Sequence, residues 1–256
     1  MNILEQIAAK KRERVAVMKK ALPLEGYIPR NLLARSFPRE NPFIIAECKK
    51  ASPSKGIIAA DYYPAAIAKS YSAGGADAIS VLTEEDFFLG SVADLAVVRN
   101  SVAAAILRKD FILESWQVRE TLLTGADAML LIVALLDRVL LKELFDEATE
   151  HKLTVLVEAH DEKEIEAALE CGAQFIGVNA RNLKDFTISA DESVRLARYI
   201  PAGRTAVAES GITSVESMLK LKAAGYKGFL IGEHFMRSAD PASAVRQFSD
   251  ALKGNI

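Results

Sequence analysis

Phe43-Ile44-Ile45-Ala46-Glu47-Cys48-Lys49-Lys50-Ala51-Ser52-Pro53-Ser54-Lys55-Gly56 begins as an apolar run, stops abruptly in charge, and falls into a Ser/Pro/Gly turn. A run of this kind, closed by turn residues, reads as a strand buried on both faces. Side chains alternate along a strand, so Phe43, Ile45, Glu47 and Lys49 share one face. A carboxylate and an ammonium therefore leave the carboxyl end of a buried strand on the same side. For one strand, a structural ion pair explains this equally well. The functional reading depends on the pattern recurring.

It recurs. Short apolar runs near 43–49, 78–82, 103–109, 127–133, 154–158, 174–179, 205–209 and 228–232 alternate with helical patterns near 64–73, 91–100, 115–123, 137–150, 161–170, 191–198, 214–223 and 240–252. Asp61 ahead of Pro64, Ser115, and Asp240 before Pro241 read as helix caps. A weak repeat of about 50 residues runs through Ala73-Gly74-Gly75-Ala76-Asp77, Thr124-Gly125-Ala126-Asp127, Cys171-Gly172-Ala173-Gln174 and Ala224-Gly225-Tyr226-Lys227. Each segment joins a helix ending in Gly to an even-numbered strand. Eight βα units with no hairpins between them predict a parallel sheet. With no Gly-x-Gly-x-x-Gly turn, the pattern favours a closed (β/α)8 TIM barrel over an open sheet. The expected organisation is one domain over 1–256, with an N-terminal helical extension at 1–42 and the barrel at 43–256. Within that extension residues 3–20 read as an extra helix. Ile3, Leu4, Ile7, Val15 and Met18 form its apolar stripe, packed on the barrel, and lysines and arginines occupy much of the rest.

A net charge of −2 gives no bulk attraction for nucleic acid, so any anion must be gathered locally. Two cysteines are too few for a disulfide framework, and no Cys/His spacing suits a metal. His151, His160 and His234 form no motif and read as surface or core residues. The opening MNILEQIAAKKRERV lacks the continuous apolar core of a signal peptide, and no run approaches a membrane span. The expectation is a cytoplasmic protein.

Charge collects at the carboxyl ends of the runs: Glu47 and Lys49 on the first, Lys109 on the third, Glu158 on the fifth, Asn179 and Arg181 on the sixth, Glu209 on the seventh. Alternate strands of a barrel feed one interior layer, so these groups are expected around a single mouth, the face that carries active sites. Burying ions for stability alone is a poor bargain. Ser210-Gly211 and Gly232-Glu233 follow the last two strands, where helix starts can cradle phosphate. Ser52 to Gly56 reads as a lid or as an ordinary surface loop. Phe88, Phe111, Leu131, Leu183 and Leu230 can wall an aromatic ring, though each also suits an ordinary core.

The ordered set Ala46 to Gly56, Leu82-Thr83-Glu84 with Phe88 and Gly90-Ser91, Leu107 to Phe111, Leu156-Val157-Glu158, Gly177 to Leu183, Glu209 to Ile212 and Leu230 to Glu233 closely resembles indole-3-glycerol phosphate synthase, over essentially the whole chain. The resemblance implies ring closure of 1-(2-carboxyphenylamino)-1-deoxyribulose 5-phosphate with loss of carbon dioxide and water, in tryptophan biosynthesis, without metal or organic cofactor. It casts Lys109 as general acid, Glu158 as general base of the dehydration, and Lys49 as a substrate-binding lysine with an acid role. Glu47, Asn179 and Ser210 complete the implied catalytic set. Ser52, Phe88, Phe111, Leu131, Arg181, Leu183, Glu209 and Leu230 are the implied substrate contacts, and Lys49, Ser210, Gly211, Gly232 and Glu233 the phosphate contacts. A lysine flanked by other cations is expected to have a lowered pKa suited to giving a proton. The expected partner is a small phosphorylated molecule, with no nucleic acid and no membrane. The chain is expected to be a monomer that associates weakly with other tryptophan-pathway enzymes. Asn179-Ala180 replaces the common Asn-Asn, and His234 stands where a small residue is more usual.

Two other readings compete. A phosphoribosylanthranilate isomerase would be expected to pair a Cys or Asp on the first strand with an Asp on the seventh, whereas here the first strand ends in Glu47-x-Lys49 and the third supplies Lys109. A non-catalytic barrel that binds sugar phosphate would be expected to lack Lys109 or Glu158, and both are present.

Overall fold

A computed structural model describes residues 2–24, 35–38, 41–179, 181 and 190–254. Among them, eight parallel strands close into a barrel: β1 (Phe43–Cys48), β2 (Ala78–Leu82), β3 (Ala105–Lys109), β4 (Ala128–Ile132), β5 (Thr154–Ala159), β6 (Phe175–Val178), β7 (Thr205–Ala208) and β8 (Gly228–Ile231). They pair in sequence order, and β1 closes the ring on β8 with Phe43 opposite Gly228. The described α-helices are α1 (Ile3–Ala21), α2 (Pro64–Gly74), α3 (Val92–Arg99), α4 (Ser115–Leu123), α5 (Arg138–Glu150), α6 (Glu162–Cys171), α7 (Ala190–Ala197), α8 (Val215–Ala223), the single turn α9 (Glu233–Met236) and α10 (Pro241–Lys253). None is long and apolar enough to cross a membrane.

The repeat has a physical basis. Gly75, Gly125, Gly172 and Gly225 all take φ between 76° and 109°, the left-handed cap that reverses the chain into an even strand. The Asp that follows in two copies is a brace. Asp77 Oδ2 accepts the Ile44 N–H at 2.8 Å, and Asp127 Oδ2 accepts the Ile106 N–H at 2.8 Å, tying each turn to the preceding strand. Asp240 caps α10 through the Ser243 N–H. Asp61 and Ser115 do not cap. Tyr63 and Glu114 occupy those positions without side-chain caps, Pro64 pre-sets the first turn of α2, and the Ser115 hydroxyl instead donates to Glu147.

Alternation divides the core. Phe43, Ile45, Ala105, Leu107, Leu130, Leu156, Phe175, Val207 and Leu230 fill the barrel, while Ile44, Ala46, Ile106, Met129, Leu131 and Val157 pack the sheet against its helices. Phe37 plugs the amino end, edge-on to Phe43 and Phe175. At the carboxyl end α1 lies across the mouth. Asn2 and Glu5 form a reciprocal cap at its start, and Leu4 and Ile7 join the interior cluster. The basic side of this helix is not all in water. Lys11 is 3% exposed and meets Asp110 at 2.8 Å and Glu85 at 3.0 Å, and Arg14 forks onto Asp86.

Candidate active site

A cavity of about 640 Å³ opens at the carboxyl ends of the strands. Its lining includes Glu47, Lys49, Ser52, Phe88, Lys109, Phe111, Glu158, Asn179, Arg181, Glu209, Ser210, Gly211, Leu230, Gly232 and Glu233, so groups spread over nearly two hundred residues meet at one rim. Leu183 lies outside the described residues.

Leu131 does not belong. It is fully buried between sheet and helices, while its neighbours Leu130 and Ile132 line the cavity. Side chains alternate along a strand, so only one of two adjacent leucines can face inward. In the all-apolar run Ala128–Ile132, composition does not say which.

Lys109 is the hub. Its Nζ lies 2.9 Å from Glu158 Oε2 and 3.2 Å from Glu209 Oε2. Asn179 Nδ2 donates to Glu158 Oε1 at 3.0 Å, and the Ser210 hydroxyl donates to Asn179 Oδ1 at 2.7 Å, which fixes the orientation of the amide. Lys49 Nζ sits 2.5 Å from Glu47 Oε2 on the same face of β1. Arg181 reaches over to Ser54 Oγ at 3.1 Å, joining the β6 end to the hairpin formed by Ala51–Ser52 and Gly56–Ile57. Gly177 leaves room for Glu209: a β-carbon there would overlap Glu209 Oε1.

The electrostatics correct one expectation. Burial alone would pull the Lys109 pKa down, but Glu158, Glu209 and Glu47 outweigh it and raise it above the ordinary lysine value. Carboxylates surround this lysine rather than cations. Burial also disfavours the charged form of Glu158, yet Lys109 and His160 hold it well below the usual range. Glu209 goes the other way: burial, with Glu158 beside it, pushes it up to about 8 against the pull of Lys109. Near neutrality the site therefore holds an ammonium, an ionised carboxylate and a carboxyl that keeps its proton, an acid and a base within one buried cluster.

Two features escaped the sequence reading. His160, just past β5, places Nε2 3.3 Å from Glu158 Oε1 and Nδ1 2.9 Å from Glu164 Oε2. Glu-x-His across the end of a buried strand was the available signal. The other is the apolar wall of Ile3, Leu4 and Ile7, brought from far away by α1. At the opposite end of the cavity the Glu233 carboxylate is taken up by Arg237 at 3.1 Å and Lys55 at 3.6 Å, and His234 turns its ring onto Phe235 and Phe248.

Among solved structures, 3-hexulose-6-phosphate synthase from Salmonella typhimurium superposes with a TM-score of 0.68 at 14% identity, covering 84% of this chain and all of that one. KGPDC from Streptococcus mutans gives 0.65 at 16% identity, over 84% of this chain and 99% of that one. Both likenesses concern the barrel. Sequence relatives are far closer. An indole-3-glycerol phosphate synthase from Nocardioides sp. is 46% identical over 258 residues, 97% of this chain and 98% of that protein. One from Polaromonas sp. is 43% identical over 258 residues, 96% of this chain and 97% of that protein. The family model for indole-3-glycerol phosphate synthase matches residues 4–248. With the barrel, its charged mouth and the near-complete span of these matches, the chain belongs to the indole-3-glycerol phosphate synthase family.

Proposed function

We propose a division of labour within the cavity for the family's reaction, in which Lys109 is the first acid and Glu158 the later base. The chain is a carboxy-lyase of tryptophan biosynthesis. It converts 1-(2-carboxyphenylamino)-1-deoxyribulose 5-phosphate into indole-3-glycerol phosphate, carbon dioxide and water. The ring carbon bearing the carboxylate attacks the ketone, and the ketone oxygen takes the Lys109 proton. A raised pKa keeps that proton in place until the oxygen becomes an alkoxide, which is a stronger base than any amine. Carbon dioxide then leaves, its bonding electrons restoring the aromatic ring. Departure of the new hydroxyl as water, with Lys49 as acid, and removal by Glu158 of a proton from the carbon beside nitrogen complete the indole.

The observation that carries this reading is the Lys109 ammonium seated between Glu158 and Glu209 at a cavity lined by both apolar and charged side chains. Phe88, Phe111, Leu130 and Leu230 wall the benzoate ring. Lys49, Arg181 and the backbone N–H groups around Gly211 and Gly232 gather the anions that net charge does not attract. Glu233 serves there through its backbone, since its carboxylate is already engaged. The protein is expected to act as a cytoplasmic monomer, with weak association at most with other enzymes of the pathway.

Incubation with the carboxyphenylamino substrate should raise indole fluorescence, with EDTA present or absent. Lys109→Ala should lower kcat about a hundredfold or more with little change in substrate affinity. Glu158→Gln should accumulate the decarboxylated, still hydroxylated intermediate. Turnover of Lys109→Ala within a few-fold of the parent would reject the acid assignment.

A further inference from the structure

His160 has a carboxylate on each side. Nδ1 lies 2.9 Å from Glu164 Oε2, which also accepts the His160 backbone N–H at 2.8 Å. Nε2 faces Glu158 Oε1 at 3.3 Å, a charge contact rather than an aligned hydrogen bond. A neutral imidazole has one N–H and one lone pair, and a lone pair aimed at a carboxylate is repulsive. Only the doubly protonated ring suits both neighbours. Among the described residues Lys109 is the one cation in contact with both Glu158 and Glu209, so it does not by itself decide which of the two carries the charge, whereas His160 touches only Glu158.

We propose that His160, held as an imidazolium by Glu164, is a positioning residue that makes Glu158, rather than Glu209, the ionised member of the carboxylate pair facing Lys109. The assignment rests on Glu158 being the base of the dehydration. Among the described residues the groups that face His160 are Glu158, near the end of β5, and Glu164 on α6. Lys109 and Asn179 contact Glu158 rather than the imidazole. A proton taken by Glu158 from carbon can then return to the Lys109 amine, 2.9 Å away, which gave up its own proton to the ketone oxygen. Burial acts against the charged ring, but the two carboxylates prevail and lift His160 to about 10.

The direct test is a 15N NMR titration of the imidazole nitrogens in the unmodified enzyme. Both should remain protonated through pH 8. Titration near the ordinary histidine value would overturn the proposal, whatever Glu158 does. The second test is the pH profile of kcat for His160→Gln, which removes the cation and keeps a donor. The acid limb should move up by about one pH unit or more, so turnover below the limb falls about tenfold and recovers at high pH with KM little changed. His160→Arg should hold the limb near its parental position. A merely structural histidine would lower thermal stability in both variants and leave the limb in place, and that result would also overturn the proposal. If Glu158→Gln proved fully active while His160 stayed protonated, the base assignment would fail and the imidazolium would stand.

Discussion

A single hydrogen on Gly177 decides where Glu209 can sit. β6 passes so close to this carboxylate that a β-carbon on Gly177 would occupy the place of Oε1. Gly177→Ala must therefore push Glu209 off Lys109 or bend the strand, and overpacking of this kind costs about 1–3 kcal/mol. The expected outcome is lower thermal stability together with lower turnover. A double-mutant cycle separates the causes: in a Glu209→Ala background the clashing atoms are gone, and Gly177→Ala should then cost little. An equal penalty in both backgrounds would place the strain in the strand itself. Gly177 was visible in the sequence as part of a motif, but its reason was not, since the atom it makes way for comes from the next strand.

At the scale of elements, α1 is bound to the site through charge as much as through apolar contact. Lys11 reaches Asp110, the residue after Lys109, and Asp110 is shared with Arg108 at 3.0 Å and with the Thr83 hydroxyl at 2.6 Å. Breaking a buried pair leaves an uncompensated charge. Lys11→Ala should destabilise the protein by roughly 3 kcal/mol, the low end for such a pair because Arg108 still faces Asp110. It should also slow turnover, by displacing the end of β3 that carries Lys109. The exposed Lys20→Ala is the control, expected to stay within about 0.5 kcal/mol in denaturant unfolding. This is also where sequence legibility ends. The strands and the four glycine turns were readable because burial on both faces and a left-handed cap leave local marks. A lysine in a basic helix and Arg108 in Ala-Ile-Leu-Arg-Lys look solvated, and only the fold shows that both are buried against carboxylates. Leu131 failed for the converse reason: a strand buried on both sides carries no alternation to say which leucine points inward. The charged rim was legible because polar residues ending apolar runs are locally conspicuous, whereas the wall supplied by Leu4 and Ile7 depends on where a distant helix lands.

For the whole molecule, the buried groups impose a pH dependence on stability whose sign can be worked out. Asp110 and Glu158 are held below their ordinary values, so the stability they contribute is complete above the unfolded carboxylate range and is lost as pH falls from there through their lower folded-state values. Glu209 is opposite: raised to about 8, it keeps its proton when the unfolded chain has lost one, and stability declines as pH rises from the ordinary glutamate value toward 8. Asp77, Glu84 and Asp94, raised chiefly by burial, act in the same direction. His160 contributes fully below the ordinary histidine value, and its share is lost as pH rises through about 10. Thermal stability is therefore expected to peak on the acid side of neutrality and to fall toward pH 9. Glu209→Gln isolates one contribution, because the amide resembles the protonated carboxyl and never ionises. Its melting temperature should match that of the parent near pH 4.5 and exceed it by a margin that widens up to about pH 8 and then holds, while turnover is reduced. Calorimetry across that range decides the matter. A constant offset would mean that Glu209 is already ionised in the folded protein, with Lys109 satisfying both carboxylates at once. A widening margin would mean that the barrel accepts a stability cost at its mouth in order to keep one carboxyl protonated beside an ionised one.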